Sequence, residues 1–461
     1  MTTEQREIKR TGDLSSILRS DDVDLVDIRI QSIDGMDISI IKHYQNIDIK
    51  EHLFSNNIMG RVSMLDAGNL TSELPLTGQE FVTFVFGTPG LPQLKKTFLI
   101  DKLSPKLNVG NEKTQTYDLH FISPCFLFSS ISKISEAYNG RISDTVENIF
   151  RNYITGNETT SFVGDDVPKI KVEPTLGTHN FIIPNWHPNP TINWLANQAV
   201  SEMYPDRANY IFYEDLDGFH FVSLTSLIHG PIRESYKSAV ANEKDKLQED
   251  YSEEHRNIKS EIIPKGYERI KDIKNGMYSS SILTHDIVTK EFNSSVYRYS
   301  DNFDSTKALN EFPLMPTSSN HFAKKQDSKQ YFCPKHLGSY GGVTTNEEGV
   351  DILEHPDNFK QEFHMQSHKS LLNQMQNYTI GFSVSGDSNR RVGDKVEVIV
   401  PSGKTESEGV HEIDYMLSGN YLITKINHNI TRNGHIMKLE LSKDSHIQRM
   451  PDYIEYDEGQ L

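Results

Sequence analysis

The residues best placed for metal chemistry are His364 and His368, four apart, with His355 close by and the pair Cys333 and His336 upstream. Two histidines at that spacing share one face of a helix and can hold zinc. The residues between them are Met365, Gln366 and Ser367, so the glutamate that serves as general base in a zinc protease is missing. We read these as surface histidines and assign no metal ligand. Asp215 and Asp217 before Gly218 have the start of a calcium loop. The later oxygen ligands and the closing glutamate do not follow, and a type I′ hairpin turn at Asp217-Gly218 accounts for the same residues. No serine elbow, phosphate-binding glycine loop, paired Cys-x-x-Cys or His-Glu-x-x-His stands in the chain. The sequence assigns no catalytic residue and no cofactor, and the expectation is a protein that is not an enzyme.

The 461 residues carry a formal charge of −17, with 36% apolar and 24% charged residues. That length holds several cores, and the polar balance suits an elongated or ring-forming subunit. The charge argues against a module that grips nucleic acid, which needs Lys and Arg to displace counterions from phosphates. An acidic wall past which DNA slides without sticking is compatible with it. Cys125 and Cys333 are the two cysteines, so no disulfide framework is implied and a reducing cytoplasm is expected. The first residues lack the apolar core of a signal peptide, and no apolar run approaches membrane-spanning length.

The elements that would position any function are mostly strands, and they repeat. Phe98-Leu99-Ile100-Asp101-Lys102-Leu103 leads through a Gly110 turn to Tyr117–Phe121, and Tyr421-Leu422-Ile423-Thr424-Lys425-Ile426 leads through Asn433-Gly434 to Met437–Leu441. Each copy follows an alternating strand opened by a glycine, Gly78 in one and Gly393 in the other. Two related β-domains at opposite ends of one chain suit assembly better than catalysis.

The organisation follows from changes of period. Residues 1–21 read as a flexible lead-in, and 22–123 as a first antiparallel β-domain, with Val26, Ile28 and Ile30 on one face. A helical connector spans 124–205. Its first helix carries Val146, Ile149, Phe150 and Tyr153 behind an Asp144/Glu147 capping pair, with Ser143 as a competing cap. Thr191 caps its second, which carries Ile192 to Met203. Residues 206–230 hold a hairpin expected to give the first strands of the second β-domain. Residues 231–375 form an insertion: a charged arm over 231–262, strands over 277–300, an extended loop over 301–358 and a helix from Asn358 to Gln376. The second β-domain resumes over 376–445, and 446–461 is a polar tail.

These residues resemble a known family. Gly60-Arg61-Val62-Ser63-Met64-Leu65-Asp66 and Leu74-Pro75-Leu76-Thr77-Gly78-Gln79-Glu80 look like the first tube-domain motif of baseplate hub proteins, the tail-tube initiators of contractile-tailed, T-even-like phages. Phe181–Pro188 with Ile192–Ala196 is similar to their connector motif, Tyr210–Val222 to their aromatic hairpin, and Ser418–His428 to their last barrel hairpin. The N-terminal part of type VI secretion spike proteins shares this fold. The resemblance implies a mostly β fold with α, built from two duplicated tube-like antiparallel β-barrels joined by a helical connector and interrupted by a long insertion. It implies a homotrimer forming a pseudo-sixfold ring, with a tail spike protein below and a tail tube protein above. Baseplate wedge and tape-measure proteins are further expected partners. DNA would be passing cargo, with no membrane insertion, in a virion baseplate assembled in the host cytoplasm. Two other readings remain at this point: a type VI or tailocin-like injection hub, and a carbohydrate-binding or hydrolytic tail protein.

Overall fold

The computed structural model describes residues 19–32, 34–68, 70, 76–110, 114–155, 168–204, 209–238, 254–265, 268–286, 290–304, 307–314, 329–335, 342–345, 351–354, 361–405 and 411–449. The N-terminal β-unit consists of β1 (Asp24–Gln31), β2 (Asp37–Ser39), β3 (Tyr44–His52), β4 (Met59–Asp66), β5 (Phe81–Gly87), β6 (Leu94–Leu103), β7 (Leu107–Asn108) and β8 (Gln115–Ile122). Ile28, Ile30, Ile47, Ile49, Val62, Phe84, Phe98 and Phe121 alternate inward to form its core. Val26, expected on that face, is exposed, because the β1–β5 register shifts between Leu25 and Asp27 and turns it outward.

The connector follows. It holds α1 (Pro124–Ile131), β9 (Ala137–Gly140), α2 (Ile142–Ile149), β10 (Ile170–Val172), β11 (His179–Ile182), α3 (Pro188–Ala196), β12 (Tyr210–Asp215), β13 (Gly218–Ser223) and α4 (Leu224–His229). Helix α2 begins before Asp144 and has no side-chain cap; Asp144 instead sits in the first turn, where the helix dipole favours an acid. Helix α3 starts at Pro188, whose fixed φ suits the first helical position, so Thr191 lies inside the helix and donates to His187 O at 2.8 Å. The hairpin β12–β13 forms at the expected residues. It pairs with β10 in a separate three-stranded sheet rather than with the second β-unit. Tyr210, Phe212, Phe219 and Phe221 fill the connector core from one face, while Ile211, Tyr213 and Val222 enter the second unit's core from the other. A strand apolar on both faces joins whichever layers it lies between.

The rest comprises β14 (Ile232–Ser238), β15 (Asn257–Ile258), β16 (Ile263–Lys265), α5 (Arg269–Asn275), β17 (Ser279–Asp286), β18 (Phe292–Arg298), α6 (Tyr299–Asn302), β19 (Phe312–Pro313), β20 (Lys329–Lys335), β21 (Gly342–Thr345), β22 (Asp351–Glu354), α7 (Gln361–Asn377), β23 (Tyr378–Ser385), β24 (Lys395–Ile399), β25 (Pro401–Thr405), β26 (His411–Ile413), β27 (Gly419–Thr431), β28 (Gly434–Lys443) and β29 (Ser445–His446). The charged arm expected over 231–262 thus includes β14 and β15, which join the second unit's sheet, and 239–253 lie outside the described residues. Strands β20 to β22 interrupt the loop expected over 301–358. The start of the polar tail forms β29, paired with β19, and 450–461 lie outside the described residues.

The duplication is legible in the topology. The first unit reads β3-β4-β8-β6-β5-β1-β2 across its sheet, and the second reads β16-β23-β28-β27-β24-β14-β15. Both carry the same bulge, with Asp101 as the extra residue between Ile100 and Lys102, and Thr424 between Ile423 and Lys425. One strand departs from the repeat: β1 is antiparallel to β5, whereas β14 is parallel to β24 because the chain enters it from α4. In the second unit the outer strand bends back towards the other edge, where Lys259 N donates to Ser383 O of β23 at 2.8 Å. The fold is therefore mostly β with α and antiparallel in the main. Its two repeats are strongly curled units fused into one 15-stranded sheet, with no closed barrel among the described strands.

Candidate functional site

The residues singled out for metal chemistry do not gather. His368 on α7 is buried at 6% exposure, so it is no surface histidine, and His364 is half-buried one turn earlier. Cys333 is buried on β20, while His336 and His355 lie outside the described residues. Among the described residues no group of three or more His, Cys, Asp or Glu is placed to hold a metal ion. The Asp215 carboxylate is spent in its turn, where Oδ1 accepts from Asp217 N at 2.8 Å and Gly218 N at 3.0 Å. Its Oδ2 meets His220 Nε2 at 2.9 Å.

The arrangement that stands out is the joint between the two β-units. Strand β27 is thirteen residues long. Its first part pairs with β24 of its own unit, and beyond the bulge Lys425–Thr431 pairs antiparallel with Asn46–His52 of β3. Eight antiparallel strands therefore run edge to edge in the order β16-β23-β28-β27-β3-β4-β8-β6, four from each unit. The inward face is apolar apart from the buried Glu51 and His428, and Ile430 of the second unit is fully buried in the first unit's core.

The other face is polar. Arg61 bonds Asp48 at 2.9 Å and lies 3.6 Å from Asp118, and Lys425 meets Glu440 at 2.8 Å. Lys50, Lys102, Lys265 and Lys438 share this face and join no salt bridge among the described residues. The acids here are neutralised and lysines are left over, so the acidic wall expected from the net charge is not what this face presents.

Behind the joint lies a buried polar network that ties both units to the connector. Glu51 on β3, 1% exposed, is hydrogen-bonded to His428 Nε2 at 2.9 Å and accepts from Leu216 N at 3.4 Å. His428 Nδ1 and His435 Nε2 are 3.1 Å apart. Arg391, 2% exposed, donates to Asp217 at 2.7 Å across the connector hairpin. Burial pushes the Glu51 carboxyl up to about 8, against the pull of Arg391, and pushes His428 down to about 3. Glu214 is likewise pushed up to about 7 by burial, while its carboxylate accepts from Ile58 N at 3.0 Å and Ser123 Oγ at 2.9 Å. Thr88 and Ser388 bridge the units reciprocally, Thr88 N donating to Ser388 Oγ at 3.1 Å and Ser388 N to Thr88 Oγ1 at 3.0 Å. These groups fix three bodies against each other. Removing one partner of such a set strands a buried polar group, so the network specifies one relative orientation. Sequence reasoning passed over it because bonded members lie far apart along the chain, 377 positions for Glu51 and His428, with no local spacing to mark them.

No protein-family model matches the chain. A curated relative does: it is 21% identical over 290 residues to the probable baseplate hub protein gp334 of Vibrio phage KVP40. The chain is thus similar in sequence to a probable phage baseplate hub protein. The match covers 62% of this chain and spans 64% of the length of the phage protein. Among solved structures, a tail protein from Neisseria meningitidis MC58 shares the fold at 12% identity, with a TM-score of 0.52 over 92% of this chain and 97% of that one. The 43 kDa tail protein of prophage MuSo2 from Shewanella oneidensis aligns with a TM-score of 0.49 at 11% identity, over 91% of this chain and 99% of that one. The E. coli c3393 protein, a type VI secretion component, aligns at 0.40 and 10% identity, over 87% of this chain and 74% of that one.

Proposed function

We propose that the chain is a central subunit of a phage tail baseplate, a structural hub protein of the virion that acts by geometry. Three copies form a pseudo-sixfold ring that adapts a threefold tail spike to a hexameric tail tube, initiates the tube and surrounds part of the DNA path. The observation that carries this is the pair of β-units with one strand order, joined edge to edge in a single chain. Two like units per chain and three chains supply six near-equivalent faces, and cyclic closure fixes the count. The polar face of the eight-stranded sheet is the surface such a ring would turn towards DNA. Its ion pairs and spare lysines make it a mixed wall rather than an acidic one. The tube and spike proteins are the principal partners, with wedge and tape-measure proteins around them, and no catalytic step is assigned.

Light scattering on the purified protein, alone and mixed with the spike protein of the same phage, tests the reading. A mass of three times 52.6 kDa in either condition is expected. A monomer in both would refute the ring.

A further inference from the structure

The polar face of the eight-stranded sheet carries its cations in a diagonal band. Lys265 lies opposite Thr379, and Thr379 opposite Ser442. Two residues along β28, Lys425 stands opposite Glu440. Two further, Asn427 has Lys438 on one side and Lys50 on the other. Two further again, Arg61 is opposite Asp48, and His120 stands between Arg61 and Lys102. From the first row to the last the cations pass from β16 of the second unit to β6 of the first. At about 4.8 Å between strands and 3.4 Å per residue, the band is about 34 Å wide and about 20 Å long. Lys50, Lys265, Lys425 and Lys438 line a groove of about 620 Å³ across the joint. Arg61 pairs with Asp48 and Asp118, and Lys425 with Glu440, which leaves Lys50, Lys102, Lys265 and Lys438 in no salt bridge among the described residues. Asp101, the exposed bulge residue beside Lys102, offsets part of that charge.

We infer that this band holds the phosphodiester backbone of duplex DNA, independently of base sequence. This rests on the reading of the polar face as the wall of the DNA path and says how that wall behaves: it retains DNA as well as letting it pass. Four spare lysines spread over the whole width of the sheet exceed the reach of any one small anion, and suit a ligand whose charge repeats along its length. Asn427 and Ser383 stand beside Lys438, and such neutral side chains also hydrogen-bond phosphate oxygens. A protein partner is less well matched. Every Phe and Tyr of these eight strands points into the apolar cores, so the face lacks the rings that anchor protein interfaces. Contacts of this kind release counterions, carry no sequence information and let DNA slide from one lysine to the next.

Anisotropy of a short labelled duplex, titrated with the full chain between about 50 and 200 mM salt, tests the band. Each neutralised phosphate steepens the log–log salt dependence by about 0.9. K50Q/K438Q removes two contacts at exposed positions, so circular dichroism should not change. Its slope should be shallower than that of the wild type by about 1.8, and its affinity at the lower salt about tenfold or more weaker. The difference between the two proteins cancels repulsion from the rest of the acidic chain. K169Q/K171Q, at exposed lysines of the connector, should match the wild type. No binding at the lower salt, or equal slopes for wild type and K50Q/K438Q, would overturn the band. Competition by poly-glutamate as effective as that by DNA of equal charge would overturn the choice of DNA and assign the band to an acidic protein. Light scattering on the same samples separates this inference from the ring. A trimer that ignores DNA removes the band and leaves the ring; a chain that binds DNA without ever forming a trimer does the reverse.

Discussion

Replacing Glu51 by Gln should make the protein more stable above neutral pH and alter the shape of its pH–stability curve. The folded-state carboxyl is pushed up to about 8 by burial, from an ordinary value of 4.5. Between those values the native state keeps a proton that the unfolded chain has released. The unfolded state thus binds fewer protons, and stability contributed at low pH is lost as pH rises through the folded value. Each full pH unit inside that window is worth about 1.4 kcal/mol. Between pH 6 and pH 8 the wild type should therefore lose at most about 2.7 kcal/mol relative to E51Q. Glutamine keeps the shape and a hydrogen-bonding group opposite His428 Nε2. Other groups bend the absolute curve: Glu214 in the same sense as Glu51, and Lys443 in the opposite sense above pH 7. The difference between the two proteins cancels both. Urea unfolding followed by far-UV circular dichroism, at half-unit steps from pH 5 to pH 8.5, supplies it. Parallel midpoint curves would refute the assignment of a raised carboxyl to this joint.

Ile430→Ala should cost about 2–5 kcal/mol, because the side chain is fully buried in the core of the other unit; a lowered urea midpoint checks it. Lys443 is fully buried between the rings of Tyr378 and Tyr421, and burial pushes its ammonium down to about 7. The unfolded chain binds the extra proton between pH 7 and the ordinary lysine value, so wild-type stability should gain from this group as pH rises there, and Lys443→Met should lack that gain in a pH series of melting curves. Gly60→Ala should unfold or strongly destabilise the first unit, since a Cβ there would lie 2.2 Å from the Asp48 carbonyl oxygen and 2.4 Å from the Phe121 ring; soluble yield and melting temperature report it.

The fold was legible where physics is local. The repeat around Phe98–Leu103 and Tyr421–Ile426 marked β6 and β27, because alternation and a turn glycine act over a few residues; the bulge the two strands share was found only in the structure. The helix over Gln361–Asn377 was readable for the same reason. The hairpin turn was not: its loop is Leu216-Asp217, one residue earlier than expected, and neither residue has the positive φ of a type I′ turn. What sequence left open is how strands choose partners. Hairpin β12–β13 is apolar on both faces and could have served either layer; it went to β10, which no local pattern announces. Strands β14 and β15 flank a charged stretch whose composition hid them. The polar joint was invisible for a different reason. Glu51, Asp217, Arg391 and His428 look like ordinary surface residues until the topology buries them together.

The internal joint can be strong without capturing wrong partners. A ladder at a free edge pairs with any exposed strand it meets, whereas chain connectivity makes the partner of β27 unique. The network around Glu51 and Arg391 then holds the two units in one orientation, because turning one against the other would strand buried polar groups.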